Sequence, residues 1–165
     1  MGNQPSIDEI YLNNHQIIEV SPIIINVTIL GGTVSDAYNT TGGEGIDKLV
    51  DGNLSSKYLT RNAQTWAKFK TNKPSIIMRY SLTSGNDAPD RDPLNWTLEG
   101  SNDDVNWTLL DQRTGVDFPN REQTIFFNFE NETMYQYYKL SMQNNAGTLF
   151  QLAEWTLYGP RLAEN

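Results

Sequence analysis

The sequence predicts an all-β protein, a β-sandwich of about eight main strands joined by long loops. Short runs rich in aromatic and β-branched residues recur along the 165 residues, as in strands. Clusters of Gly, Asn, Asp and Ser separate these runs, and such clusters form turns. Helical patterning is weak and confined to residues 45–50. Many short strands with turns between them are typical of two antiparallel sheets packed face to face.

The strand signal is clearest in six runs, at residues 76–82, 95–100, 106–110, 124–129, 137–142 and 154–159. In the second run, Trp96, Leu98 and Gly100 alternate with polar residues and would share one face of a strand. The tetrapeptide NWTL occurs at 95–98 and again at 106–109, with the turn-forming SNDD between them. This arrangement predicts the two arms of a β-hairpin rather than a repeat unit.

One further apolar segment and three tryptophans are expected to be buried. The segment VSPIIINVTIL at residues 20–30 predicts one or two buried strands. Its length and its polar residues exclude a membrane span, which needs about 20 apolar residues. Trp96, Trp107 and Trp155 are expected in the core.

The length suits a single domain over residues 1–165, with residues 1–6 disordered or an artificial start of the chain.

Composition excludes several classes of function. The chain has 20 acidic and 12 basic residues, a net charge of −8, whereas nucleic-acid binders present a basic surface. It has no cysteine, so thiolate zinc sites, disulfides and cysteine nucleophiles are impossible. With His15 as its one histidine, it cannot build a cluster of histidine ligands.

Residues 47–57, DKLVDGNLSSK, place oxygen-bearing side chains at Asp51, Asn53 and Ser56. Calcium takes six to eight oxygen ligands. The segment starts like an EF-hand loop, but its sixth position is Ser56 rather than Gly and its twelfth is Asn62 rather than Glu. A second carboxylate must therefore come from elsewhere, and FQLAEWTLYG at 150–159 offers Glu154.

Together the two segments resemble the factor V/VIII type C, or discoidin-like, domain family. The pattern is KLVDGNxxS followed much later by QLAEWxLYG, and residues 80–111 between them are similar to bacterial members, including family 32 carbohydrate-binding modules. The resemblance covers residues 42–160. It implies a jelly-roll β-sandwich of the galactose-binding-domain type.

The resemblance also implies a structural Ca²⁺ that ties the first long loop to the last strand. Its ligands would come from Lys48, Asp51, Asn53, Ser56, Ala153 and Glu154, with Lys48 and Ala153 contributing carbonyl oxygens. The alternative is that residues 51–52 are only a turn and that Glu154 is a surface residue.

Modules of this kind bind sugars in a shallow site built from loops, where an aromatic ring covers the apolar face of the sugar and polar groups fix its hydroxyls. Segments 38–44, 57–66 and 86–92 are expected at the calcium end. The candidate sugar-binding residues are Arg91, Glu44, Arg61, Asn62 and Trp66. The alternative for Arg91 is a bracing role, in which it pairs with its aspartate neighbours and stabilises their loop. The alternative for Trp66 is a core position on a strand. The lack of a histidine after Ser56 argues against a galactose preference.

The resemblance implies a non-catalytic carbohydrate-binding module of a secreted or surface bacterial protein. Such a module would target an attached or partner glycan-active protein, such as a glycoside hydrolase, to its substrate. The acidic composition favours a neutral glycan, and the expected location is extracellular, periplasmic or at the cell surface. A protein-interaction or adhesion module on the same scaffold is the alternative. Catalysis is disfavoured because no carboxylate pair or nucleophile motif stands out.

Overall fold

A computed structural model describes residues 10–12, 16–18 and 21–162, and its architecture is the jelly-roll β-sandwich that the sequence predicts. His15 and residues 1–6 lie outside the described part. The strands there are β1 Ile10–Leu12, β2 Gln16–Ile18, β3 Ile24–Asn26, β4 Gly32–Asp36, β5 Tyr58–Thr60, β6 Gln64–Ser75, β7 Arg79–Thr83, β8 Pro93–Ser101, β9 Thr108–Arg113, β10 Thr124–Asn128, β11 Tyr135–Asn144, β12 Phe150–Leu152 and β13 Glu154–Pro160. Short 3₁₀ turns occupy Thr28–Leu30, Ile46–Val50 and Pro89–Arg91.

Two main antiparallel sheets form the sandwich. One has five strands in the order β4-β6-β11-β8-β9, and the other has four in the order β10-β7-β13-β3. The pairs β5-β12 and β1-β2 form small sheets of their own. Among the described residues, no helix is long and apolar enough to cross a membrane.

The core lies between the two main sheets and follows from strand alternation. On β11, Tyr138, Leu140 and Met142 are buried, while the residues between them are half-buried on the outer face. A strand with period-two burial turns one face to the core and the other to solvent. β13 instead is buried along most of its length, from Glu154 to Leu157. It pairs with β7 over residues 154–158 and with β3 over residues 158–160.

Gly159 shows how closely the chain packs at the end of β13. A Cβ atom at this position would collide with the carbonyl oxygen of Ile76. The glycine that ends the QLAEWxLYG pattern is therefore required by backbone packing, where the segment before β7 passes beside β13.

The structure confirms the predicted hairpin, since β8 and β9 pair antiparallel across the SNDD turn. It also confirms the helical turn near residues 45–50 and the core positions of Trp96 and Trp155. The prediction for Trp107 is wrong. Trp107 is half-buried just before β9, and the Lys139 ammonium lies 4.1 Å from its ring centroid on the outer surface.

The prediction of buried strands over residues 20–30 is largely wrong. Only residues 24–26 form a strand in the described part of this segment, and a 3₁₀ turn follows. Ile23 and Ile29 are 62% and 76% exposed, whereas Val27 is buried. β3 lies at the edge of the four-stranded sheet, so a continuous apolar run here does not become a central strand.

Candidate functional site

The two halves of the acidic motif meet in the folded chain. The backbone N–H of Gly52 donates a hydrogen bond to Glu154 Oε1 at 3.2 Å. Beside it, the Asp51 carboxylate accepts hydrogen bonds from the Asn53 N–H at 2.9 Å and from Ser56 Oγ at 2.7 Å. The loop that follows the Ile46–Val50 turn is thereby joined to the first residue of β13.

Glu154 is a buried carboxylate, only 6% exposed. Its Oε2 is buried and makes no hydrogen bond within the described part of the chain. Burial raises the pKa of Glu154 to about 7, the Gly52 N–H partly opposes this, and the negative charge of Asp51 adds to it. The alternative that Glu154 is a surface residue is wrong. A buried acceptor without a donor is costly, and it marks a place where a cation would be stabilised.

Lys48 and Ala153, the two residues predicted to contribute carbonyl oxygens, lie close in the chain to the two carboxylates. Lys48 belongs to the 3₁₀ turn that leads to Asp51, and Ala153 immediately precedes Glu154. Within residues 21–162 no group of three or more His, Cys, Asp or Glu side chains comes together. A cation here would therefore be held by two carboxylates with amide, hydroxyl and carbonyl oxygens, a donor set that suits hard Ca²⁺.

Glu154 should make the stability of the metal-free protein depend on pH. Its folded-state pKa of about 7 lies above the ordinary value of 4.5, so the folded chain binds a proton more tightly than the unfolded chain. The stabilisation is complete below pH 4.5 and is lost as the pH rises through 7, by about 3 kcal/mol. We expect Glu154→Gln to flatten this slope in urea unfolding with a chelator present. Parallel pH profiles for the two proteins would contradict the assignment.

Lys57 organises a second group of polar residues, at the end of the sandwich where the loops meet. Its buried ammonium donates hydrogen bonds to Asp87 Oδ1 at 2.6 Å, Asn86 Oδ1 at 3.0 Å and Gln151 Oε1 at 3.1 Å. Glu44 Oε1 is 3.9 Å away. Lys57 also holds the pKa of Asp87 below its usual range.

Arg91 lies beside this group without being tightly bound by its aspartate neighbours. Its nearest carboxylate oxygen, Asp87 Oδ1, is 3.9 Å away, beyond hydrogen-bond distance. Asp92 is instead buried and paired with Arg121, whose Nη2 and Nη1 lie 2.5 Å and 3.0 Å from the two carboxylate oxygens. The bracing role is therefore performed by Arg121 and Lys57. We call Glu44, Lys57, Asp87 and Arg91 the loop-end surface.

The turn that holds Arg61 and Asn62 contacts the same segment as the Arg91 turn. The backbone N–H of Asn144 donates to the carbonyl of Ala63, and the next two residues donate to the carbonyls of Asp92 and Asp90. Arg61 is exposed, and Asn62 donates to Thr60 Oγ1 at 3.2 Å. Four of the five predicted sugar-binding residues thus lie at one end of the sandwich.

Trp66 lies elsewhere. It is half-buried on the outer face of the five-stranded sheet, where it lines an open groove of about 540 Å³. We call this the sheet-face groove, and its walls include Tyr38, Gln64, Trp66, Asn95, Thr97 and Gln143. Tyr38 is 47% exposed, whereas Tyr58, the other tyrosine considered as a platform, is fully buried.

Sequence comparison matches most of the chain to a protein family. The F5/8 type C domain matches residues 32–155 of the chain. A shorter segment of 57 residues is 46% identical to the peptide-N(4)-(N-acetyl-beta-glucosaminyl)asparagine amidase of Arabidopsis thaliana. That match covers 32% of this chain and 8% of the amidase, so the chain spans a small part of the relative's length.

Solved structures share the fold at low sequence identity. CpGH89CBM32-5 from Clostridium perfringens, solved with GalNAc-β-1,3-galactose, has a TM-score of 0.69 at 13% identity, covering 81% of this chain and 99% of that one. The family 32 module from Streptococcus pneumoniae EndoD has a TM-score of 0.67 at 18% identity, covering 82% and 99%. An F5/8 type C domain from Bacteroides fragilis has a TM-score of 0.67 at 14% identity, covering 79% and 93%. With a family match over most of its length, the chain belongs to the F5/8 type C domain family.

Proposed function

We propose that this domain is a non-catalytic glycan-binding module, and that the loop-end surface is its binding site for a terminal sugar. Support comes from solved structures of the same fold, several of which are named as carbohydrate-binding modules. The observation that carries the proposal is that Arg91 is partly exposed and has no carboxylate of the described residues within hydrogen-bond distance. Its side chain is 31% exposed, and its guanidinium lies 3.9 Å from the nearest carboxylate, so its donors can reach a ligand.

The loop-end surface offers both donors and acceptors for sugar hydroxyls. Glu44 and Asp87 are about half exposed, and Arg91 is beside them. The buried ammonium of Lys57 and the Asp92–Arg121 pair fix the loops from below. Binding groups that are already held in place lose less conformational entropy when a ligand binds.

The biological role that fits such a module is targeting. Weak binding to a glycan keeps a linked or partner glycan-active protein near its substrate by raising its effective concentration. Two comparisons support this role. A solved protein named as truncated AlyQ combines a family 32 module with alginate lyase domains, and the matched amidase is far longer than the present chain. The net charge of −8 favours a neutral glycan, and such a protein would act outside the cell or at its surface.

We further propose that a structural Ca²⁺ joins the loop after Ile46–Val50 to β13. The carboxylates of Asp51 and Glu154 would hold it, with oxygens of Asn53, Ser56, Lys48 and Ala153 completing the set. Bound calcium would give the buried Glu154 Oε2, which has no hydrogen-bond donor within the described residues, a positively charged partner. Its role is to fix the loop that leads to Lys57, and so to shape the loop-end surface.

Arg91→Ala should abolish binding of a terminal sugar while leaving the fold intact. The change removes the exposed guanidinium but no short hydrogen bond of its side chain within the described residues. Isothermal titration with the glycans that bind the native domain should show at least about a tenfold loss of affinity. Arg91→Lys keeps the charge but not the planar donor pair and should recover it only in part. A folded Arg91→Ala variant with native affinity would contradict the proposed site.

A protein-interaction module is the second candidate, and exposed apolar residues favour it. Ile23, Ile29 and Leu30 are 62%, 76% and 59% exposed within one short segment. Large exposed apolar side chains that are close together are typical of contact surfaces. Replacing Ile29 and Leu30 by Ser should leave glycan binding unchanged if the domain is a glycan-binding module.

A further inference from the structure

The outer face of the five-stranded sheet carries a regular array of side chains. Antiparallel registry aligns a row across four strands, formed by Trp66 of β6, Ser141 of β11, Thr97 of β8 and Gln112 of β9. Neighbouring strands are 4.7–4.9 Å apart, so this row spans about 14 Å. Aligned side chains on one face of a sheet form a continuous surface.

A second row lies next to the first, toward the loop end. It consists of Gln64 on β6, Gln143 on β11 and Asn95 on β8. Both rows line the sheet-face groove, and exposed Tyr38 stands at its rim. The groove therefore combines two aromatic side chains with neutral amides and hydroxyls.

Most of these polar groups have no hydrogen-bond partner among the residues that the structure describes. The side chains of Gln64, Thr97, Gln112, Ser141 and Gln143 make no hydrogen bond with any other residue of the described chain, although Asn95 Oδ1 accepts one from the Gly115 N–H at 2.8 Å. A concave surface with unused amide and hydroxyl groups beside aromatic rings has the chemistry that binds a saccharide. The rings cover apolar C–H faces, and the polar groups bind hydroxyls.

The charges in and next to the groove are compensated. Arg113 lines the groove and is paired with Asp111 at 2.9 Å. In the row beyond Trp66, Lys68 is paired with Asp104 at 2.7 Å and Lys139 with Glu99 at 3.3 Å. The groove thus has no excess of unpaired cations to attract a polyanion. Its chemistry selects a neutral chain over a uronic acid polymer.

We propose that the sheet-face groove binds the internal units of a neutral oligosaccharide whose end occupies the loop-end surface. The proposal rests on the proposed function of the domain as a glycan-binding module. Continuity supports it, because β6 begins at Gln64 directly after the turn of Arg61 and Asn62, and β11 passes from Gln143 into the segment that contacts the Arg91 turn. The ligand class is then a chain rather than a single sugar.

The test is a comparison of chain lengths with a variant that fills the groove. Ser141→Trp puts a large side chain in the middle of the first row and removes no side-chain hydrogen bond seen within the described residues, and Ser141→Ala is its matched control. Both are checked for an unchanged thermal transition. The probes are neutral oligosaccharides of one, three and six units built from glucose, mannose, xylose, galactose or N-acetylglucosamine, with oligogalacturonate as the anionic comparison.

We expect a six-unit chain of at least one neutral series to bind the native domain at least about tenfold more tightly than its single sugar. Ser141→Trp should remove that advantage and keep single-sugar binding. Ser141→Ala removes one hydroxyl but leaves the groove open, so it should keep single-sugar binding and lose only part of the advantage. Arg91→Ala should lose single-sugar binding. Equal affinity for short and long chains, an unaffected Ser141→Trp variant or a preference for oligogalacturonate would overturn the groove assignment while the proposed function stands. If Ser141→Trp lost all binding while Arg91→Ala bound like the native domain, the loop-end site would be overturned instead. If no oligosaccharide of the panel bound the native domain, both the groove assignment and the proposed function would be overturned.

Discussion

Calcium should raise the midpoint of thermal unfolding by about 5–10 °C. A ligand at one hundred times its dissociation constant stabilises the folded state by about 2.7 kcal/mol, and 1 kcal/mol shifts the midpoint of a domain of this size by about 2–4 °C. Asp51→Ala and Glu154→Gln should abolish the gain, because each removes a carboxylate at the point where the loop and β13 meet. Differential scanning calorimetry in calcium and in chelator measures it.

Glu154→Gln gives this experiment a second readout that a purely structural role would not produce. In chelator above pH 7 the variant should be at least as stable as the native domain, since it removes a buried charge whose Oε2 has no partner in the described chain. In calcium it should be the less stable of the two. Glu130→Gln, at an exposed glutamate, is the matched control and should behave like the native protein. Identical melting curves in calcium and chelator would show that no cation binds.

Arg121→Ala should destabilise the domain by about 3 kcal/mol, because breaking a buried ion pair leaves one charge uncompensated. Asp92 is 3% exposed, and Arg121 holds both of its carboxylate oxygens. Burial already raises the pKa of Asp92, while Arg121 opposes that shift. Urea unfolding at neutral pH measures the loss directly.

Arg91→Ala is the matched control for this loss, since both arginines lie near the same aspartate-rich turn. We expect it to change the free energy of unfolding by less than about 1 kcal/mol, as is common for a partly exposed pair at 3.9 Å. If Arg91→Ala were the more destabilising change, the bracing role would belong to Arg91 and the case for its role in sugar binding would fail.

The fold was largely predictable because its signals are local. The NWTL repeat with SNDD between its copies needs only turn chemistry and alternation to become the β8–β9 hairpin. The meeting of Asp51 and Glu154 is different, because their segments lie far apart in the chain. The need of a hard cation for a second carboxylate indicated a distant partner, and the family resemblance identified Glu154 as that partner.

The errors arose where tertiary context decides the outcome. β4, with the sequence GTVSD, is not among the six runs with a clear strand signal, and it becomes a strand because it pairs with β6. Trp107 carries a core-like side chain, yet it lies outside the sandwich and is covered by Lys139. Arg121 and Lys57 gave no local signal, because each is defined by an aspartate far along the chain.

Trp66 shows a further limit of sequence reasoning. Alternation correctly indicated a strand over residues 66–70, but it could not say which face of that strand meets the core. Ala67 and Phe69 are the buried residues, so Trp66 points outward onto the sheet-face groove. Because Trp66 lies apart from Arg91, the single sugar-binding site expected from the sequence corresponds to two surfaces in the structure, the loop-end surface and the sheet-face groove.

The most direct test of the account is a glycan-array screen of the folded domain, run once with calcium and once with chelator. The account predicts binding to a coherent set of neutral glycans in calcium, with weaker binding in chelator as the loop before Lys57 loses its support. Protein that is shown to be folded by its thermal transition and that binds no glycan under either condition would contradict the account, and would favour the protein-interaction module.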